Sequence, residues 1–115
     1  MHEISIASGI VRIVEETAVR EKFCRVAQVQ LEIGSLAGIE LQALRFALNA
    51  MMPGTCLEES EIMISEIHGL ARCLDCMADV DVTSHLDACP ICGSYTLHAV
   101  GGFDVRIADL VVFND

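Results

Sequence analysis

Basic residues are scarce in this chain: 7 Lys and Arg stand against 17 Asp and Glu, giving a formal net charge of −10 over 115 residues. Nonspecific nucleic-acid binding depends on Lys and Arg displacing the counterions of phosphates. A surface this negative argues against nucleic acid and against an anionic membrane as partners, and it favours cationic metals or basic protein patches. Long apolar runs are also lacking. No stretch approaches the ~20 uncharged apolar residues that span a bilayer. The first residues, Met1-His2-Glu3, put an acid where a secretion signal carries bases, and no small-residue cleavage site follows the first apolar run. A cytoplasmic setting is expected, where a reducing poise leaves thiols free for metals. Internal repeats, low-complexity tracts, a Gly-rich phosphate loop and a nucleophile–base pair are missing too, which makes an enzyme the weaker reading.

What remains is enough to fold. Apolar residues make up 53% and charged residues 21% of the chain, the composition of a globular protein and not of a disordered one. The length supports one core with a small appendage.

The apolar residues Ile6, Ile10, Ile13, Val14 and Ala18 recur at three- and four-residue steps, which predicts an amphipathic helix from Ile4 to about Ala18 with Ser5 as N-cap. Val26 to Ile33 alternates, with Val29, Leu31 and Ile33 on one face, and predicts a half-buried strand. Leu41, Leu44, Leu48 and Met51 form a second helical stripe, stopped by Pro53-Gly54; Glu40 at its start suits the helix dipole. Glu61 to Ile67 predicts a second strand leading into the cysteine region. After a Gly101-Gly102 hinge, Asp104 to Phe113 predicts a last one. The expected fold is α+β: a small mixed sheet with two helices, carrying an inserted four-cysteine, zinc-ribbon-like module. Residues 1–70 and 101–115 would form the body and 71–100 the module, with the strands that flank the insertion pairing with each other.

Cys73-x2-Cys76 and Cys89-x2-Cys92 are tight pairs whose sulfurs can face one point, and the segment between them is long enough for a short hairpin. Tetrahedral zinc held by four thiolates is the usual result of that spacing, and Gly93 suits the turn. A redox CxxC is the main competitor, but it uses one pair at a helix start. Four thiolates also leave an iron–sulfur cluster open. A filled shell leaves no position for a catalytic water. The base-deaminase pattern fails as well, because no His-x-Glu precedes the pairs and no Pro precedes Cys89. Asp79, Asp81 and Asp87 lie between the pairs without any Lys or Arg. The module therefore reads as structural or protein-docking. Cys24 and Cys56 read as small buried hydrophobes.

His2 lies next to the N-terminal amine. Methionine is generally retained before so bulky a residue, so Met1 stays. The imidazole of His2, the backbone nitrogens of residues 2 and 3, and the terminal amine can converge on one ion. An all-nitrogen set that flattens into a square plane suits Ni(II) or Cu(II) better than Zn(II). Such a site on a chain end exchanges its metal readily, as a carrier requires.

Met1-His2-Glu3 with Ile4-Ser5, the run Leu31-Glu32-Ile33-Gly34 followed by Leu36, and the paired CxxC with Cys89-Pro90-x-Cys92-Gly93 resemble the HypA/HybF family of hydrogenase nickel-maturation factors over essentially the whole chain. The resemblance implies a nickel metallochaperone, not an enzyme, delivering Ni(II) to the hydrogenase large-subunit precursor alongside a HypB-type GTPase. Some relatives also serve urease, and members are monomers or weak homodimers. It places the nickel ligand on His2, with Met1 and the motif acid Glu3, which tunes or covers the site, completing the nickel-binding residues, and structural zinc on Cys73, Cys76, Cys89 and Cys92. The alternative is a zinc-stabilised interaction module without nickel transfer. His68 reads as solvated or hydrogen-bonded and His98 carries no spacing signal; His85, between the pairs, is a candidate to reach either metal.

Overall fold

The computed structural model describes residues 2–113. Two compact units divide the chain. One comprises Met1–Leu31, Ile39–Ile64 and Ile107–Asp115, the other Glu32–Gly38 and Ser65–Arg106.

In the first unit, α1 (Glu3–Glu21) buries Ala7, Ile10, Val14 and Ala18 along one stripe. It packs against α2 (Leu41–Met51), which buries Leu44, Ala47 and Leu48. The first helix begins before the predicted Ser5 cap. Its N-cap is His2, and the first helical hydrogen bond runs from the Ile6 N–H to the His2 carbonyl at 2.9 Å. Glu3 supplies the first-turn acid that the helix dipole favours. The helix closes at Lys22 in the left-handed conformation, with the Phe23 N–H bonded to the Ala18 carbonyl at 3.1 Å. At the start of α2 the Glu40 carboxylate accepts the Ala43 N–H at 2.6 Å. Gly54, at φ 83°, turns the chain after α2.

Strand β1 (Val26–Gly34) buries Val29, Leu31 and Ile33, as its alternation predicts, and also Val26, which is out of phase with them. It is the central strand of a three-stranded sheet ordered β2-β1-β6, with β2 at Glu61–Ile67 and β6 at Val105–Val112. The strands flanking the insertion therefore do not pair with each other; β1, the most buried of the three, lies between them.

The second unit contains a separate antiparallel sheet ordered β4-β3-β5, with β3 at Gly69–Cys73, β4 at Asp79–Val82 and β5 at Leu97–Gly101. The hairpin here is β3–β4, and it encloses the first cysteine pair instead of lying between the two pairs. Leu36, Ala71, Cys73, Val80, Val82 and Cys89 form its small core. In β4 the four residues Asp79-Val80-Asp81-Val82 alternate, with both valines buried and both acids exposed.

Gly102, at φ 91°, lies where backbones pack closely. A Cβ on it would overlap the Gly69 backbone, and a Cβ on Gly34 would overlap the Gly102 carbonyl. The three glycines let backbones meet where the Leu36 N–H bonds the Gly102 carbonyl at 2.9 Å and the Gly69 N–H bonds Ser35 Oγ at 3.0 Å.

Candidate metal centre

Cys73 ends β3, and Cys76 follows in the turn before β4; Cys89 and Cys92 lie in the loop before β5. The two segments repeat one local geometry. The Cys73 N–H bonds the Ala78 carbonyl at 2.9 Å while the Met77 N–H bonds the Cys73 carbonyl at 2.8 Å. Likewise the Cys89 N–H bonds the Ser94 carbonyl at 2.7 Å and the Gly93 N–H bonds the Cys89 carbonyl at 2.8 Å. Each turn closes on a left-handed residue, Gly93 at φ 78° and Met77 at φ 63°. The Leu74 N–H to the Thr96 carbonyl, at 2.9 Å, and the Ser94 hydroxyl donating to the Asp75 carboxylate tie one turn to the other.

These ties bring all four Sγ atoms within 4.8 Å of one another. Cys73 and Cys92 are 3.5 Å apart and Cys76 and Cys89 are 3.8 Å apart. Sulfurs arranged tetrahedrally at ~2.3 Å from a zinc ion are about 3.8 Å apart, so the cage has the dimensions of such a centre. Electrostatics agree. The Cys76 backbone N–H, pointing at the Cys73 sulfur, brings that thiol down to about 7. The Cys92 N–H lowers Cys89 in the same way. The Cys92 sulfur receives the Ser94 N–H, yet the adjoining sulfurs, Cys73 foremost, and burial push its thiol up to about 12. Cys76 is also raised, by burial and by its sulfur neighbours, against the Ala78 N–H. Charge on one sulfur opposes charge on the next, and a divalent cation at the centre removes that opposition. With four thiolates the shell is full and offers no open catalytic position.

His85 is held by the body of its own unit, its Nε2 3.2 Å from the Leu36 carbonyl oxygen. His68 and His98 are exposed. Cys24, expected to be buried, is exposed in the loop before β1, where Val26 takes the first core position. Cys56 is half-buried, and burial, with the Glu15 carboxylate beside it, pushes its thiol up to about 12.

At the start of α1, His2 is exposed and its side chain makes no capping bond. Glu3 is buried, and its carboxylate accepts the Glu40 backbone N–H at 3.1 Å, which lowers its pKa. Glu40 thus does more than complement a dipole: its backbone holds Glu3 while its side chain caps α2. Met1 lies outside the described residues. Beside Glu3 opens an apolar groove of about 370 Å³, lined by Ile4, Phe46 and Met51 among others.

A closed four-sulfur cage of these dimensions points to a small metal-binding protein. A family model described as hydrogenase/urease nickel incorporation, metallochaperone, HypA, matches residues 1–112. The hydrogenase maturation factor HypA of Polaromonas naphthalenivorans is 44% identical over 115 residues, covering 100% of both chains. That of Cupriavidus necator is 46% identical over 112 residues, covering 97% of this chain and 94% of its own. The solution structure of the Ni metallochaperone HypA from Helicobacter pylori shares the fold, with a TM-score of 0.69 at 19% identity and full coverage of both chains. The chain belongs to the HypA family of nickel-incorporation metallochaperones. It is a hydrogenase maturation factor and not an enzyme.

Proposed function

We propose that the chain carries Ni(II) on its first residues, with His2 as the nickel ligand, and holds zinc in the Cys73, Cys76, Cys89 and Cys92 cage as a structural ion. The observation that carries the nickel reading is the position of His2 at the N-cap. The amides of residues 2 and 3 precede the first helical hydrogen bond and take no part in its ladder. Deprotonated amides beside the imidazole make the nitrogen-rich plane that suits Ni(II). The positive end of the α1 dipole favours the amidates that such a plane needs. Met1 contributes its amine. Glu3, turned toward Glu40, acts on the site by fixing the helix start.

The functional division follows the metals: residues 1–70 and 101–115 as the nickel-binding body, 71–100 as the zinc module. The carrier works in the cytoplasm, as monomer or weak homodimer, receiving or releasing nickel with a HypB-type GTPase and passing it to the hydrogenase large-subunit precursor. No helix among the described residues is long and apolar enough to cross a membrane.

Nickel titration of the wild type, His2→Ala and an N-terminally extended chain tests the reading. A square-planar absorption band in the wild type that vanishes in His2→Ala supports it. Undiminished nickel binding in both variants overturns it.

A further inference from the structure

The two cysteine turns carry more than the metal. Leu74, Met77, Ile91 and Tyr95 are 52%, 62%, 68% and 78% exposed, although each is a large apolar or aromatic side chain. They belong to one locality. Leu74 and Ile91 lie within the two CxxC segments whose sulfurs meet, and Met77 follows the first. Tyr95 sits between Ser94 and Thr96, the residues bonded to Asp75 and Leu74 of the first turn. Scattered exposed apolar residues are ordinary, whereas a cluster of this kind with a Tyr and a Met marks an interaction surface.

Charge selects the partner. The unit that bears this tip contains Glu32, Glu66, Asp75, Asp79, Asp81, Asp87 and Asp104, and besides three histidines its basic residues are Arg72 and Arg106. Both arginines are already paired, Arg72 with Asp79 at 3.0 Å and Arg106 with Glu32 at 2.6 Å. The potential around the apolar tip is therefore negative, with Asp75 inside the first turn. A second copy of the same tip would meet it with like charge, and anionic lipid or nucleic acid is repelled in the same way.

We infer that the tip formed by Leu74, Met77, Ile91 and Tyr95 docks a protein surface on which Lys or Arg side chains surround an apolar recess. The metal cage fixes the two turns against each other and so pre-forms the surface before the partner arrives. The inference does not depend on nickel at His2, and its test uses none.

The zinc-loaded full chain, labelled for amide NMR, is titrated with a short amphipathic Lys/Leu peptide, an all-Lys peptide and a Glu/Leu peptide. The Lys/Leu peptide is expected to shift amides at 74–77 and 90–96. Its binding should weaken at least about tenfold in Ile91→Ser/Tyr95→Ser, the loss expected from interface anchors. It should be unchanged in Val19→Ser, a control on an 81% exposed residue of the other unit. Tyr95→Ser alone and Asp75→Asn, which keeps an acceptor for Ser94, should each weaken it in part, and they decide the matter if the double variant loses zinc. Shifts spread evenly over the acidic surface, equal binding of the all-Lys or Glu/Leu peptide, unchanged affinity in the tip variants, or capture of the protein by phosphatidylglycerol vesicles would each overturn the inference.

Discussion

The carboxylate of Glu3 accepts the backbone N–H of Glu40 at 3.1 Å, joining the starts of two helices that are 37 residues apart in the chain. The acid next to the proposed nickel ligand thus also ties the two helix starts together. Glu3→Ala removes the acceptor and leaves the Glu40 N–H without it. Thermal unfolding should shift down by several degrees. His2→Ala, which removes an exposed side chain with no capping bond, should alter stability by no more than about 0.5 kcal/mol. Equal midpoints for the two variants would refute this division of labour.

Met77 occupies a left-handed conformation at φ 63°, the place Gly93 fills in the second turn. That conformation costs a side chain roughly 1–2 kcal/mol, part of which glycine recovers. Met77→Gly should stabilise the metal-loaded protein by up to about 1 kcal/mol in denaturant unfolding. The same substitution removes a member of the docking tip, so stability should rise while Lys/Leu peptide affinity falls.

Gly102→Ala places a methyl group against the Gly69 backbone at a φ of 91°. Neither backbone can yield without breaking the bond from the Leu36 N–H to the Gly102 carbonyl. A loss of roughly 3 kcal/mol is expected from such overlap and strain, measured as a lower denaturant midpoint. Gly9→Ala, with open space around its Cβ and a helical backbone, is the control and should be neutral or stabilising.

Glu15 accepts the Cys56 N–H at 2.6 Å, which holds its carboxyl below the ordinary value of 4.5. A carboxylate depressed in the folded state contributes stability that is complete above the unfolded value and is lost as pH falls through the folded one. Wild-type stability should therefore drop below about pH 4.5 more steeply than that of Glu15→Gln. Cys56, with its thiol near 12, is expected to resist alkylation at pH 8, where only roughly one part in ten thousand is thiolate. The exposed Cys24 should react first. Mass mapping of the zinc-loaded protein after a short pulse reads the order.

Removing the metal should unfold the second unit's sheet. Its core is short, and two members, Cys73 and Cys89, are themselves cage residues. Structural zinc in such sites contributes about 10 kcal/mol or more. Chelation, or Cys89→Ser, should abolish amide protection in β3, β4 and β5. Retained protection would show that the sheet stands without its ion.

Much of the body was legible because its signals are periodic. The stripes of α1 and α2 and the alternation of β1 need only local sequence, and the buried residues Ile10, Val14, Leu44, Leu48, Val29 and Leu31 are those the periods select. The cysteine cage was legible for a similar reason, since two CxxC pairs bring their own geometry. The strands of the second unit were harder. β3, β4 and β5 have four or five residues each, too few for a period to stand out.

The sequence by itself determined the helices, the alternating strand at 26–33, the two cysteine pairs and the placement of a histidine at position 2, because each follows from residue type and spacing along the chain. Only the tertiary structure decided which strands became neighbours, that Gly34, Gly69 and Gly102 meet backbone to backbone, and that Glu3 turns to Glu40. These depend on which distant segments share a small volume. No local period encodes that choice, and burial and hydrogen-bond satisfaction make it only once the chain has folded.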